Sequence, residues 1–176
     1  MTHSENIVPL RGDDAPDSLV MAAQLHAELA RRSAMVATAE SLTGGALGAL
    51  LSAGPGASDT YLGGVVSYAT AVKQRLLGVS DATVDRHGVV SAECAAEMAV
   101  GVRALVGADY AVSTTGVAGP TRQEGKPVGL VYVGVAGPAG VETRELHLPG
   151  DRKEIRERAV REAVSAVLAE LVGVAG

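Results

Sequence analysis

The chain has 176 residues, 47% of them hydrophobic and 20% charged, which fits one domain with a sizeable core and argues against disorder. A formal net charge of -5, four tyrosines, and no Phe or Trp argue against nucleic-acid binding, which draws on clustered Lys and Arg and on aromatic stacking. The single Cys94 excludes an internal disulfide, the four histidines lack metal-ligand spacing, and no stretch reaches the roughly 20 apolar residues of a membrane span, so no metal site and no membrane partner are expected.

Residues 1–16 read as a flexible tail. They carry no basic segment followed by an apolar run, so no signal peptide is expected and the location is cytoplasmic. Residues 17–176 read as a single domain. Asp17 or Ser18 is placed to cap a first helix that runs to about Arg32, with Leu19, Ala22, Leu25 and Leu29 on one stripe. A strand over 34–39 leads through Glu40-Ser41 into a helix over 43–51, and residues 53–57 form a turn. A second strand over 61–68 is rich in Gly and Val, and a helix follows over 70–77. One further helical turn is expected over 81–86. Residues 91–106 form a long helix with Ser91 as its cap and Cys94 at its third position, where the cysteine reads as a small buried hydrophobe. A third strand over 108–115 runs into Gly116-Val117-Ala118-Gly119-Pro120. Strands over 128–136 and 141–148 are joined by the hairpin turn Gly137-Pro138-Ala139-Gly140, and Asp151 caps a last helix to about Val172.

Helices alternate with nearly continuous apolar strands. This pattern specifies an α/β fold: a mixed, mostly parallel sheet covered by helices on both faces, with an antiparallel hairpin near the C-terminus. Ligands in such sheets gather beyond the carboxyl ends of parallel strands. Three segments occupy such positions.

The first is Glu40-Ser41-Leu42-Thr43-Gly44-Gly45. Its hydroxyls sit where a helix begins and free amides favour negative charge, and Gly44 and Gly45 allow close approach to the backbone. Spacing alone fits an ordinary helix cap equally well. The second is Tyr68-Ala69-Thr70-Ala71-Val72-Lys73, where a lysine of lowered pKa can serve a serine nucleophile as base and a tyrosine can orient or shuttle the proton. A strand-end tyrosine and a solvated helix lysine account for the same letters. The third is the turn after Thr115, whose Gly116 and Gly119 can present amides to an anion or simply make a tight connection. Arg152, at the start of the last helix, can reach a phosphate. The other charges of that helix, Arg156 and Arg161 among them, read as a solvated face with pairs such as Glu157–Arg161.

Together the segments resemble one family. Thr-Ala-Glu-Ser-Leu-Thr-Gly-Gly (Thr38 to Gly45) precedes a Val-Ser-Tyr block ending at Lys73 (from Val66), His-Gly-Val-Val-Ser (His87 to Ser91), Thr-Gly-Val-Ala-Gly-Pro (Thr115 to Pro120), Lys-Pro-Val-Gly-Leu-Val-Tyr (Lys126 to Tyr132) and Gly-Asp-Arg (Gly150 to Arg152). This order is similar to that of the CinA C-terminal domain family, the nicotinamide-nucleotide amidases, from Asp17 to about Leu171. The resemblance implies hydrolysis of the carboxamide of nicotinamide mononucleotide to nicotinate mononucleotide and ammonia, without cofactor. It implies Ser41 as nucleophile, Lys73 and Tyr68 as its acid–base partners, and Arg152 at the substrate.

In the mechanism that follows from this, amides of Thr43, Gly44 and Gly45 hold the oxyanion. Glu40 holds Lys73 or the ribose. Arg152 and the Gly116–Gly119 turn, with Thr115 nearby, bind the 5′-phosphate. The resemblance also implies a homo-oligomer, for which the surface around residues 61–66 is a candidate interface. Some members carry an extra N-terminal domain, which the short tail here leads one to expect absent. Two departures stand out. Leu42 replaces a cysteine found in many members, so no thiol role is expected there. Thr121-Arg122-Gln123-Glu124-Gly125 lacks a common Gly-Gly-rich stretch, which bears on specificity if that loop meets the substrate. Two other functions fit the same residues: a non-catalytic nucleotide-binding or regulatory module, and an amidase for another small amide.

Overall fold

The computed structural model describes residues 15–173, so the reading of the preceding residues as a tail lies outside the described part for residues 1–14. The first helix, α1 (Ala15–Arg31), starts ahead of both expected caps, and Asp17 and Ser18 fall inside it. The remaining elements are β1 (Val36–Glu40), α2 (Ala46–Ala53), α3 (Ala57–Thr60), β2 (Tyr61–Val66), α4 (Thr70–Leu77), α5 (Asp81–His87), α6 (Ala92–Val106), β3 (Tyr110–Gly116), β4 (Leu130–Gly137), β5 (Gly140–His147) and α7 (Arg152–Gly173). The short α3 stands at the end of the expected turn, and the single turn expected after α4 is the seven-residue α5.

The five strands form one sheet in the order β2-β1-β3-β4-β5. β1 pairs in parallel with β2 and with β3, while β3–β4 and β4–β5 are antiparallel. The expected hairpin is present, with Gly137 opposite Gly140. The burial pattern follows this order. β1 is buried at every residue and β3 at all but its last, whereas β2 at one edge alternates, and β5 at the other is mostly exposed. Leu62 and Val66 are apolar side chains left exposed on the β2 edge.

Because strand side chains alternate between faces, the sheet separates two cores. On one face Val36, Val112, Val131, Val133 and Val135 pack against Leu25 and Leu29 of α1, Leu47 and Leu51 of α2, and the apolar stripe Ile155–Leu171 of α7. On the other, Ala37, Ala39 and Ala111 meet Cys94, Met98 and Val102 of α6, with Leu77 at the end of α4. Small residues on this second face let α6 lie close to the sheet. Helix caps follow from local sequence: the Ser91 hydroxyl accepts the Cys94 amide, and Asp151 accepts the amides of Lys153 and Glu154. No helix among the described residues is long and apolar enough to cross a membrane.

One close approach sets where α4, and with it Lys73, can stand. A Cβ on Gly101 of α6 would overlap the Leu77 carbonyl of α4, a backbone group that cannot move aside. Gly101→Ala is therefore expected to destabilise the fold by about 1–3 kcal/mol despite the better helix propensity of alanine. Chemical denaturation checks this; a gain in stability would show that α4 and α6 can separate at no cost.

Candidate active site

The parallel strands β1, β2 and β3 deliver their carboxyl ends to one edge of the sheet. The ladder continues one residue beyond two of them, with the Ser41 amide donating to the Thr114 carbonyl at 2.9 Å and the Ser67 amide to the Glu40 carbonyl at 2.8 Å. Ser41 and Ser67 are thus held side by side at the point where both chains leave the sheet.

After Ser41 the chain does not enter a helix at once. Gly44 and Gly45 take left-handed conformations, with φ of 60° and 96°, and α2 begins only at Ala46, three residues later than expected. The helix is capped from upstream. Both carboxylate oxygens of the buried Glu40 accept amides of the helix start, from Gly45 at 2.9 Å, Leu47 at 3.1 Å and Gly48 at 2.8 Å. A carboxylate at that place also meets the positive end of the helix dipole. Both oxygens are thus engaged by the start of α2, so Glu40 shapes the turn, and among the described residues no hydrogen bond joins it to Lys73.

Lys73 comes from α4 on the far side of the cleft and is 1% exposed. Its Nζ donates to the carbonyl of Ser67 at 2.6 Å and, at 3.4 Å, to that of Tyr68, and it lies 3.0 Å from Ser41 Oγ. Among the described residues no carboxylate pairs with it. Burial holds its pKa below the ordinary lysine value, with Cys94 and Glu124 acting in the opposite sense. A lysine and a serine are therefore in contact, with the lysine biased toward its neutral, proton-accepting form. Cys94 itself is buried, and its thiol is pushed up to about 11 by that burial, which keeps it protonated.

Tyr68 is placed differently from expectation. Only its carbonyl faces Lys73; its exposed hydroxyl accepts from Arg152 Nη2 at 3.0 Å. The other arm of the guanidinium donates to the Gly119 carbonyl at 2.6 Å. The structure so joins Tyr68, Gly119 and Arg152 in a second cluster, beside the Ser41–Lys73 pair. Thr43 and Thr115 are both buried by the fold. The Thr43 hydroxyl pairs with that of Thr114 at 2.8 Å, and Thr115 donates to the Val89 carbonyl on the opposite face of the sheet, so both hydroxyls are engaged inside the fold. Gly116 remains in the ladder, paired with Val131. The expected oxyanion donors narrow as well. The Gly44 amide bonds the Ser41 carbonyl and the Gly45 amide bonds Glu40, whereas the amides of Leu42 and Thr43 have no partner among the described residues.

A model of the CinA C-terminal domain matches residues 19–171. The chain belongs to that family. It is 52% identical to a CinA-like protein of Frankia casuarinae over 145 residues, which are 82% of this chain and 34% of that protein. It is 44% identical to a putative competence-damage inducible protein of Bacillus subtilis over 133 residues, 76% of this chain and 32% of that one. The chain thus spans about a third of the length of these curated relatives. Among solved structures, a CinA superfamily protein from Klebsiella pneumoniae superposes with a TM-score of 0.86 at 33% identity, covering 89% of this chain and 98% of that one. A competence/damage inducible protein from Agrobacterium tumefaciens gives 0.83 at 35% identity, covering 87% and 94%.

Within this CinA domain, two features escaped the reading of the sequence. Arg156, expected on a solvated face, is only partly exposed and donates from Nη2 to the Thr43 carbonyl at 2.8 Å. The loop after Pro120 turns at Glu124 and Gly125, both at positive φ, and binds the start of α6. Glu124 accepts the amides of Val89 and Val90, and Lys126 donates to the carbonyls of His87 and Val90. Spacing gave no signal for either feature, since both depend on contacts between distant segments.

The lowered pKa of Lys73 links stability to pH. Between that lowered value and the ordinary lysine value of 10.5, the unfolded chain binds a proton that the folded chain does not. Stability of the native protein relative to Lys73→Met is therefore expected to rise with pH through that window and to level off above it. Denaturation of both proteins across the range checks the sign, and a flat difference would mean that Lys73 is charged in the folded state.

Proposed function

We propose that the chain is an amidohydrolase that cleaves the carboxamide of nicotinamide mononucleotide, giving nicotinate mononucleotide and ammonia. The observation that carries this reading is the 3.0 Å contact between Ser41 Oγ and a Lys73 that is 1% exposed and has no carboxylate partner among the described residues. A neutral amine has two N–H groups and one lone pair. The carbonyls of Ser67 and Tyr68 can only accept, so they take the two N–H groups. The lone pair is then left for the proton of Ser41.

The chemistry follows from this arrangement. Lys73 removes the hydroxyl proton as Ser41 Oγ bonds to the amide carbon. The carbonyl oxygen gains the negative charge and is received by the unpartnered amides of Leu42 and Thr43. Protonated Lys73 then gives its proton to the amide nitrogen, and ammonia leaves. Water attacks the acyl-enzyme, its proton passing to Lys73, and the acid is released with Ser41 restored. The choice of nicotinamide mononucleotide as substrate rests on the resemblance of the motifs to those of the nicotinamide-nucleotide amidases. The cluster of Arg152, Tyr68 and the Gly119 turn suits a phosphate attached to the amide-bearing ring: Arg152 is exposed, already oriented by two acceptors, and supplies a cation outside the buried pair.

Ammonia release from nicotinamide mononucleotide, nicotinamide riboside and free nicotinamide tests the proposal. Turnover of the mononucleotide is expected to fall at least about a thousandfold in Ser41→Ala and in Lys73→Met. Arg152→Met is expected to raise KM for the mononucleotide and leave the two unphosphorylated compounds unaffected. For the native protein kcat/KM is expected to rise with pH, with a midpoint below the ordinary lysine value of 10.5. Undiminished activity in Ser41→Ala would refute the nucleophile. Tight binding of the nucleotide without ammonia release would instead favour a binding module of the same fold.

A further inference from the structure

The Ser41 turn contains two glycines in left-handed conformations, and glycine offers the least resistance of any residue to a change of backbone direction. Amides that must point at a developing oxyanion therefore need to be oriented from outside the turn. The residue before the glycines, Thr43, is held in two ways. Its side chain pairs with Thr114 of β3 at 2.8 Å, and its carbonyl accepts both the Ala46 amide at 3.2 Å and Arg156 Nη2 at 2.8 Å. Arg156 stands one helical turn beyond Arg152 on α7, and its Nη2 lies directly against Gly44, 3.3 Å from where a Cβ would be.

The surroundings of Arg156 are unusual for a purely structural arginine. Its Nε is buried without a hydrogen-bond partner among the described residues, and no carboxylate there forms an ion pair with it. Leaving a buried donor of a charged group unpaired is unfavourable, and a structural arginine ordinarily has an acceptor for it. Here the guanidinium stands, without a carboxylate at ion-pair distance among the described residues, beside the turn that receives negative charge in the proposed reaction.

We infer that Arg156 is a positioning residue for catalysis: by binding the Thr43 carbonyl from α7 it anchors the Thr43–Gly44 peptide, and with it the turn whose Leu42 and Thr43 amides receive the oxyanion. This rests on the amidohydrolase reading above. It also assigns the two arginines of α7 different tasks. Arg152 meets the substrate, and Arg156 acts on the Thr43–Gly44 peptide of the turn that carries the nucleophile. Removing Arg156 should affect the transition state more than substrate binding, because the turn relaxes without changing the phosphate cluster.

Steady-state kinetics of Arg156→Met and Arg156→Lys test the inference, alongside the rate at which a fluorophosphonate probe labels Ser41. In Arg156→Met, kcat is expected to fall about 10- to 100-fold with KM changed less than about twofold, as suits loss of one charge-assisted hydrogen bond to the catalytic turn. Labelling should slow in parallel, since phosphonylation also places an anionic oxygen opposite those amides. Arg156→Lys, which keeps one donor and the charge, is expected to recover part of both rates. An unchanged kcat and labelling rate in folded Arg156→Met would overturn the inference. So would a rise in KM at constant kcat, which would make Arg156 a substrate-binding residue. Failure of the amidohydrolase reading is separately visible as absence of ammonia release by the native protein, and the labelling rates then still decide whether Arg156 sets the turn. Should Arg156→Met not fold, Arg156→Lys carries the test, with native rates in that variant counting against a specific role of the guanidinium.

Discussion

The carboxylate of Glu40 ends β1 and starts α2 at once. Three amides of the helix start converge on its two oxygens, so the intervening residues must close into a tight loop that turns the Ser41 side chain toward Lys73. Buried within a strand that is itself covered on both faces, Glu40 has no solvent to fall back on; its charge is satisfied by the helix start and the helix dipole. The turn is thus a consequence of one buried anion. Thr114, Arg156 and the two left-handed glycines refine a geometry that Glu40 imposes.

The lysine across the cleft obeys the opposite logic. Where Glu40 is buried with donors around it, Lys73 is buried with two carbonyls and a hydroxyl and with no anion at bonding distance among the described residues. Carbonyl dipoles orient the amine but do not neutralise an ammonium, so burial favours the neutral form. The position of α4 that makes this possible depends in turn on Gly101, which lets α6 lie against the end of α4. In this CinA domain, packing on one face of the sheet therefore sets the proton affinity of a group at its edge.

How much of this was legible in the sequence divides along the range of the interactions. The Ser91 and Asp151 caps and the Gly137–Gly140 hairpin are encoded within a few residues, and the structure has them where the sequence placed them. Ser41, Lys73, Tyr68 and Gly119 are read from segments at strand ends and Arg152 from the start of the last helix, and the parallel order of β2-β1-β3 brings the three strand ends together. The misreadings at the site share one cause. α2 starts late because its cap comes from a side chain five residues before Gly45, whereas a Ser or Thr just ahead of the helix was the local signal. The Tyr68 hydroxyl turns to Arg152, 84 residues away, and Arg156 to Thr43, 113 residues away; neither partner can be inferred from helical spacing. The charges of α7 look alike in sequence, and only the turn packed against that helix separates a solvated arginine from a half-buried one.

The charge of Lys73 is the point on which the account of the site depends most. It can be read without substrate, by following the Nζ resonance of Lys73, assigned through Lys73→Arg, in a nitrogen-detected NMR titration of the intact protein. The account predicts a titration midpoint clearly below the ordinary lysine value of 10.5, with loss of the proton leaving the fold unchanged. A lysine that keeps its proton up to that ordinary value would contradict it, since Ser41 would then face an ammonium and have no base.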